Sequence, residues 1–145
     1  MRYIYFIYDE EKNWIEMDDK AIANRQVIQI DGIYHVSALE DCLAEGQLLD
    51  CEIDANIIDI NKEDFENIWN ESLKDYKRIW NIIKNKYKLN SYIKAFCMYY
   101  YPQGVIFKVD NVIINYIGKE KVKIHEEYKM RIVGYDDVNM WIITE

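Results

Sequence analysis

Nine large apolar residues mark one stretch of the chain as helical. Phe65, Ile68, Trp69, Leu73, Tyr76, Ile79, Trp80, Ile83 and Tyr87 recur at spacings of three and four. An α-helix turns about 100° per residue, which gathers these side chains into one arc of about 140°. The pattern predicts a single long helix over 62–88. Asn61 is placed to cap it, Glu63, Asp64 and Glu66 fall in its first turns, and Lys84, Lys86 and Lys88 close its end. That polarity complements the helix dipole. A helix with one apolar stripe is not stable alone and must lay that stripe on another layer.

Short strand-like runs supply the layer. Residues 2–8 are β-branched and aromatic, a polar stretch over 9–13 turns the chain, and 14–17 can return. Asp31-Gly32 separates the runs 26–30 and 33–37, a dipeptide suited to a hairpin in which both turn residues need φ > 0. Ser37 is placed to cap a short helical turn through Ala44, with Glu40 as its capping-box partner and Gly46 as the stop. Beyond the helix, strands are expected at 92–101, 105–109, 112–117, 122–125, 128–135 and 138–144, with turns at 102–104 and at Asp110-Asn111. Strands joined by tight turns are antiparallel. The expectation is an α+β fold in one domain over 1–145: an antiparallel sheet of hairpins and a C-terminal meander, with one long amphipathic helix packed on a face.

Little in the chain points to catalysis. His35 and His125 have no second ligand at metal spacing, and Cys42, Cys51 and Cys97 match no C-x-x-C pattern. A Cys42–His35–Asp41 nucleophile system lacks a glycine-rich oxyanion loop. The acidic stretches Asp9-Glu10-Glu11 and Asp18-Asp19 lack the alternation and central Gly of a calcium loop. Five Gly leave little material for a phosphate-cradling loop. The expectations are no enzyme activity, no cofactor and no metal. The run Tyr3 to Tyr8 is shorter than the core of a secretory leader, no 18-residue apolar run is present, and the thiols fit a reducing compartment. A cytoplasmic protein with no membrane partner is expected.

Charge is the remaining signal. The chain has 26 Asp and Glu against 18 Lys and Arg, a net of −8. Residues 1–60 hold 14 acids and 4 bases, residues 61–90 hold 5 and 7, and residues 91–145 hold 7 of each. An acidic chain is repelled by phosphate backbones and attracted to basic partners, so a nucleic-acid partner is not expected. Lys74, Lys77, Arg78, Lys84 and Lys88 share the helix face opposite the apolar stripe, which a solvated helix requires in any case. Within 99–101 alternation turns only part of the Tyr run inward, which leaves an exposed ring for protein contact.

Residues 23–46 resemble a pattern in small bacterial proteins. Arg25 precedes an apolar strand, Asp31-Gly32 forms a hairpin, and Asp41-Cys42-Leu43-Ala44-Glu45-Gly46 closes the unit. In size, acidity, aromatic richness and α+β make-up the chain also resembles immunity proteins of bacterial polymorphic and contact-dependent toxin systems. The resemblance implies a cytoplasmic protein that binds a cognate toxin domain, often a basic nuclease, and blocks its active site. The acids crowding the hairpin and the turn after it, Asp31, Glu40, Asp41, Glu45, Asp50, Glu52 and Asp54, are the candidate contact surface, with Tyr99 and Tyr101 as candidate aromatic anchors. Two other readings remain: a self-associating structural or adaptor protein of a phage or mobile element, and a small-ligand-binding protein with a pocket between helix and sheet.

Overall fold

Two turn residues with left-handed backbones set the start of the chain. Tyr8 pairs with Glu11, so Asp9 (φ 48°) and Glu10 (φ 66°) alone make the turn between β1 (Arg2–Tyr8) and β2 (Glu11–Met17). The return strand is therefore longer than the expected 14–17. The computed structural model describes residues 1–39, 43–101 and 104–145. These residues divide into two compact units, Met1–Tyr76 and Lys77–Glu145.

The first unit is a five-stranded antiparallel sheet. To β1 and β2 are added β3 (Ala23–Ile30), β4 (Ile33–Val36) and β5 (Ile58–Ile60), in the order β4-β3-β2-β1-β5. Asp31 (φ 50°) and Gly32 (φ 79°) form the expected two-residue turn between β3 and β4. Ser37, expected to cap a helical turn through Ala44 that passes through residues outside the described ones, is engaged with β3. Its Oγ accepts the N–H of Gln26 at 3.0 Å and its own N–H donates to the Gln26 carbonyl, so it extends the β3–β4 pairing instead. Glu40, Asp41 and Cys42 lie outside the described residues.

Alternation gives the sheet two occupied faces. On one, Ile4, Ile15, Met17 and Ala23 are buried beneath Leu43, Ala44, Leu48, Ile53 and Ile57. The segment 43–57 is pinned there by the N–H of Ala44, which donates to Gln26 Oε1, and by the N–H of Leu48, which donates to the Ala21 carbonyl, both at 2.8 Å. On the other face lies α1 (Lys62–Ser72), with the Phe65 ring 5.4 Å from that of Tyr3 on β1. Asn61 caps α1 as expected, its side chain accepting the N–H of Asp64 at 2.7 Å.

The single helix expected over 62–88 is two helices, α1 and α2 (Lys74–Lys86). The Ser72 hydroxyl donates to the Trp69 carbonyl at 2.8 Å, and the Leu73 N–H donates to the same oxygen at 3.1 Å. A side-chain hydroxyl competing for a helical carbonyl loosens the ladder at that turn. The apolar stripe is thus shared: buried Phe65 and Trp69 belong to the first unit, Trp80 and Ile83 to the second.

The second unit is a closed barrel of β6 (Tyr92–Tyr101), β7 (Gly104–Val109), β8 (Val112–Tyr116), β9 (Glu127–Asp136) and β10 (Trp141–Thr144), in the order β10-β8-β7-β6-β9. Three hairpin-linked strands followed by a fourth that returns beside the first make a Greek key. β10 then closes the barrel, parallel to β8 and antiparallel to β9. This corrects the expected all-antiparallel meander. The strand expected at 122–125 is part of the connection between β8 and β9, and closure leaves it no edge to pair with. Ile93, Ala95, Cys97, Phe107, Ile114, Met130, Ile132 and Ile142 fill the interior. Ile106, Ile113 and Trp141 form a separate cluster on the outer side, with Tyr99 and Tyr101 packed against it. Trp80 on α2 donates from Nε1 to Asp137 at 2.7 Å and meets the Tyr135 ring edge-on at 5.9 Å.

The division sharpens the charge map. The first unit holds 19 acids and 6 bases, a net of −13, whereas the second holds 12 bases and 7 acids, a net of +5.

Candidate functional site

The acidic surface is built on the segment 43–57, whose composition is two-sided. Leu43, Ala44, Leu48, Ile53 and Ile57 pack down onto the sheet, while Glu45, Asp50, Glu52 and Asp54 remain exposed. Asp50 and Glu52 sit in a 3₁₀ turn, Asp50–Glu52. Arg2, on the same sheet face, clamps this turn: Nη1 donates to Asp50 Oδ1 at 2.7 Å and Nη2 to Asp50 Oδ2 at 3.0 Å. Its Nε donates to Asp59 Oδ1 on β5 at 2.7 Å. The hydrogen bond from Arg2 holds the Asp50 carboxyl below its ordinary range, and those that Arg2 donates to Asp50 and Asp59 raise the Arg2 guanidinium. Arg2 thereby fixes the middle of the acidic segment while offsetting part of its charge. Neither Arg2 nor Asp59 stands out in the sequence, because 57 residues separate them and the sheet order alone joins them.

Asp31 is not part of this surface. It is exposed in the β3–β4 turn, at the end of the sheet that carries the Asp9-Glu10 turn, whereas Arg2 and Asp50 lie at the other end. The expected patch therefore separates into Glu45, Asp50, Glu52 and Asp54 over the sheet face, and Asp31 at a strand end. Glu40 and Asp41 lie outside the described residues. Tyr99 and Tyr101 are half-buried, with ring centroids 4.9 Å apart against the outer cluster of the barrel. Tyr100 is the more exposed ring at 55 %, and its hydroxyl donates to the Val122 carbonyl at 2.6 Å.

Other sequence candidates resolve into structure. Asp18 accepts the N–H groups of Lys20 and Ile22 at 2.9 and 3.0 Å and so shapes the β2–β3 turn. Cys51 is exposed and Cys97 is buried inside the barrel, where burial pushes its thiol pKa up, away from nucleophilic use. His35 lies half-buried in β4, while two of its imagined triad partners, Asp41 and Cys42, are outside the described residues. Among the described residues, no group of three His, Cys, Asp or Glu is placed to hold a metal, and no helix is long and apolar enough to cross a membrane. Of the cations on the helix face, Lys84 donates to Asp137 at 2.9 Å and lies 5.4 Å over the Trp80 ring.

A cavity of about 410 Å³ opens at one end of the barrel, lined by Tyr116, Gly118, Lys119, Glu120, Tyr128 and Glu145 among others. No residue of α1 or α2 lines it, so it differs from the helix–sheet pocket that a ligand-binding reading of the sequence anticipates. No protein-family model matches the chain, and no curated protein is significantly similar to it.

Proposed function

We propose that the chain is a protein-binding module of the immunity type, cytoplasmic and bacterial, which neutralises a basic cognate toxin domain through the acidic surface of its first unit. The observation that carries this reading is the net −13 on Met1–Tyr76, with Glu45, Glu52 and Asp54 displayed on a segment anchored from below. Anchoring matters, because a surface already ordered loses little entropy on binding. An acidic face opposite a basic cleft also steers encounter and raises the association rate.

The test pairs the chain with the product of its adjacent gene. Co-expression is expected to restore growth against a toxic neighbour. Reversing Glu45, Glu52 and Asp54 together to Lys is expected to weaken the complex and flatten its salt dependence, while Asp31→Lys has the smaller effect. A harmless neighbour, or an unchanged complex in the triple variant, removes this reading. One observation favours the self-association reading instead: β4 and β5 are edge strands of the first sheet, with Ile33 and Ile58 exposed upon them. Dimerisation that persists at high salt would select it.

A further inference from the structure

Strand register sorts the outer face of the barrel side chain by side chain. Ile93, Ala95 and Cys97 point inward, so Tyr92, Lys94 and Phe96 of β6 point out. Phe96 lies between Lys108 of β7 and Glu127 of β9, Lys94 lies opposite Lys129, and Tyr92 lies opposite Arg131. Three adjacent strands therefore present two aromatic rings and four cations against one carboxylate. Tyr92 is 62 % and Phe96 50 % exposed, and of the Tyr92 ring the face away from Lys129 is open to a partner.

The cations of this face outnumber its carboxylates. Directly opposed like charges destabilise a sheet, yet Lys94 faces Lys129. Arg131 pairs with Glu145, but Lys94, Lys108 and Lys129 form no ion pair among the described residues. Lys129 Nζ instead lies 5.1 Å over the Tyr92 ring. An anion bound between the rows would relieve the repulsion.

We propose that this face of β7, β6 and β9 binds single-stranded nucleic acid. Phosphates meet the Lys94–Lys129 row, and bases stack on Tyr92 and Phe96, which stand four residues or about 13 Å apart along one strand. An acidic peptide would satisfy the lysines and leave nothing flat to stack on the rings, so the aromatics favour nucleic acid. The acidity of the whole chain does not decide the matter. The barrel unit is itself net +5, and at physiological salt a charge acts over about 8 Å, so the local cations govern the local field. This site is independent of the acidic surface of the first unit.

Fluorescence anisotropy on the full chain tests it, with a labelled oligothymidine of about twelve nucleotides, a length within known single-strand site sizes. A labelled Glu-rich peptide of similar length is the competing probe. Saturable oligonucleotide binding at low salt is expected. Tyr92→Ala and Phe96→Ala should each weaken it about fivefold or more without changing its salt dependence. Lys94→Gln and Lys129→Gln should each lower the slope of log affinity against log salt by about 0.7. All four side chains are on the outer face, so the variants should keep the thermal midpoint of the parent. Three outcomes overturn the proposal: no oligonucleotide binding at low salt, tighter binding of the acidic peptide, or unchanged affinity in both aromatic variants.

Discussion

Arg25 on β3 and Glu66 on α1 share a two-point ionic hydrogen bond, with Nη2 donating to Oε1 at 2.5 Å and Nη1 to Oε2 at 3.2 Å. The same guanidinium donates from Nη2 to Glu16 on β2 at 2.6 Å and lies 5.0 and 5.1 Å over the Phe65 and Trp69 rings. Burial alone would lower the pKa of Arg25, but the hydrogen bonds to Glu16 and Glu66 outweigh it and raise it. One side chain thus joins helix to sheet by charge and by ring contact.

Removing the cation should be costly because Glu16, with 9 % of its side chain exposed, would remain as a lone buried charge. Arg25→Met is expected to reduce stability by about 3–5 kcal/mol. Adding Glu16→Leu to that variant should recover part of the loss, since the orphaned charge is then gone. Urea unfolding of both variants checks this, and a double variant weaker than the single would contradict it.

The same cluster sets an acid limb. The hydrogen bond from Arg25, opposed by burial, holds Glu66 below its ordinary value of 4.5. A depressed folded-state pKa contributes stability that is fully present above the unfolded value and is lost as pH falls through the folded one. Wild-type urea midpoints should therefore fall more steeply below pH 4.5 than those of Glu66→Gln. Parallel curves would show that the pairing contributes nothing.

Glu10 holds a left-handed backbone, φ 66°, that costs an ordinary residue about 1–2 kcal/mol. Glu10→Gly turns the β1–β2 loop into Asp-Gly, as at the β3–β4 turn, and is expected to stabilise by about 1 kcal/mol. Thermal unfolding reads the sign directly.

Two glycines should respond differently to Ala. A Cβ on Gly118 would overlap the Tyr116 phenol, whose ring stands edge-on to Phe107 at 5.8 Å in the barrel. Gly118→Ala is expected to cost about 1–3 kcal/mol through that overlap. At Gly46 (φ 71°) a Cβ meets no atom within 4 Å, so only backbone strain of about 1 kcal/mol applies. Comparing the two by chemical denaturation separates crowding from conformation.

Trp141 is 4 % exposed, and its Nε1 has no hydrogen-bond partner among the described residues. Burying an unsatisfied N–H is costly, so Trp141→Phe should stay within about 1 kcal/mol of the parent despite the smaller ring. A much larger loss would mean that the indole contributes through packing alone.

The sequence carried its local signals faithfully and its long-range ones poorly. Asn61 as a cap and Asp31-Gly32 as a turn are local chemistry, and both stand as expected. The break at Leu73 is hidden because the apolar stripe runs on through it. One hydroxyl, directed at the Trp69 carbonyl beside the break, makes a hydrogen bond that hydrophobic spacing does not reveal. Barrel closure was likewise invisible: nothing in residues 141–144 says that they pair in parallel with β8. For the acidic surface, exposure of Glu45, Glu52 and Asp54 was legible, but the Arg2 clamp depends on β1 lying beside β5. A division of the charge at residue 60 hides part of the basic character of the second unit. The unit boundary falls at 76, and moving the cut there takes the C-terminal part from +2 over residues 61–145 to +5 over residues 77–145.

Closure by β10 also orders events in time. The first sheet has all its strands once Ile60 has left the ribosome, but the barrel must wait for Trp141–Thr144. Until then β8 and β9 each display an unpaired edge on the nascent chain, since β10 alone bridges them. Synthesis is slow relative to hairpin formation, so those edges persist long enough to meet a chaperone or another chain. A stop codon before Trp141 would make that interval permanent. Four residues at the far end of the barrel thus decide whether the nascent unit ends closed or remains a template for aggregation.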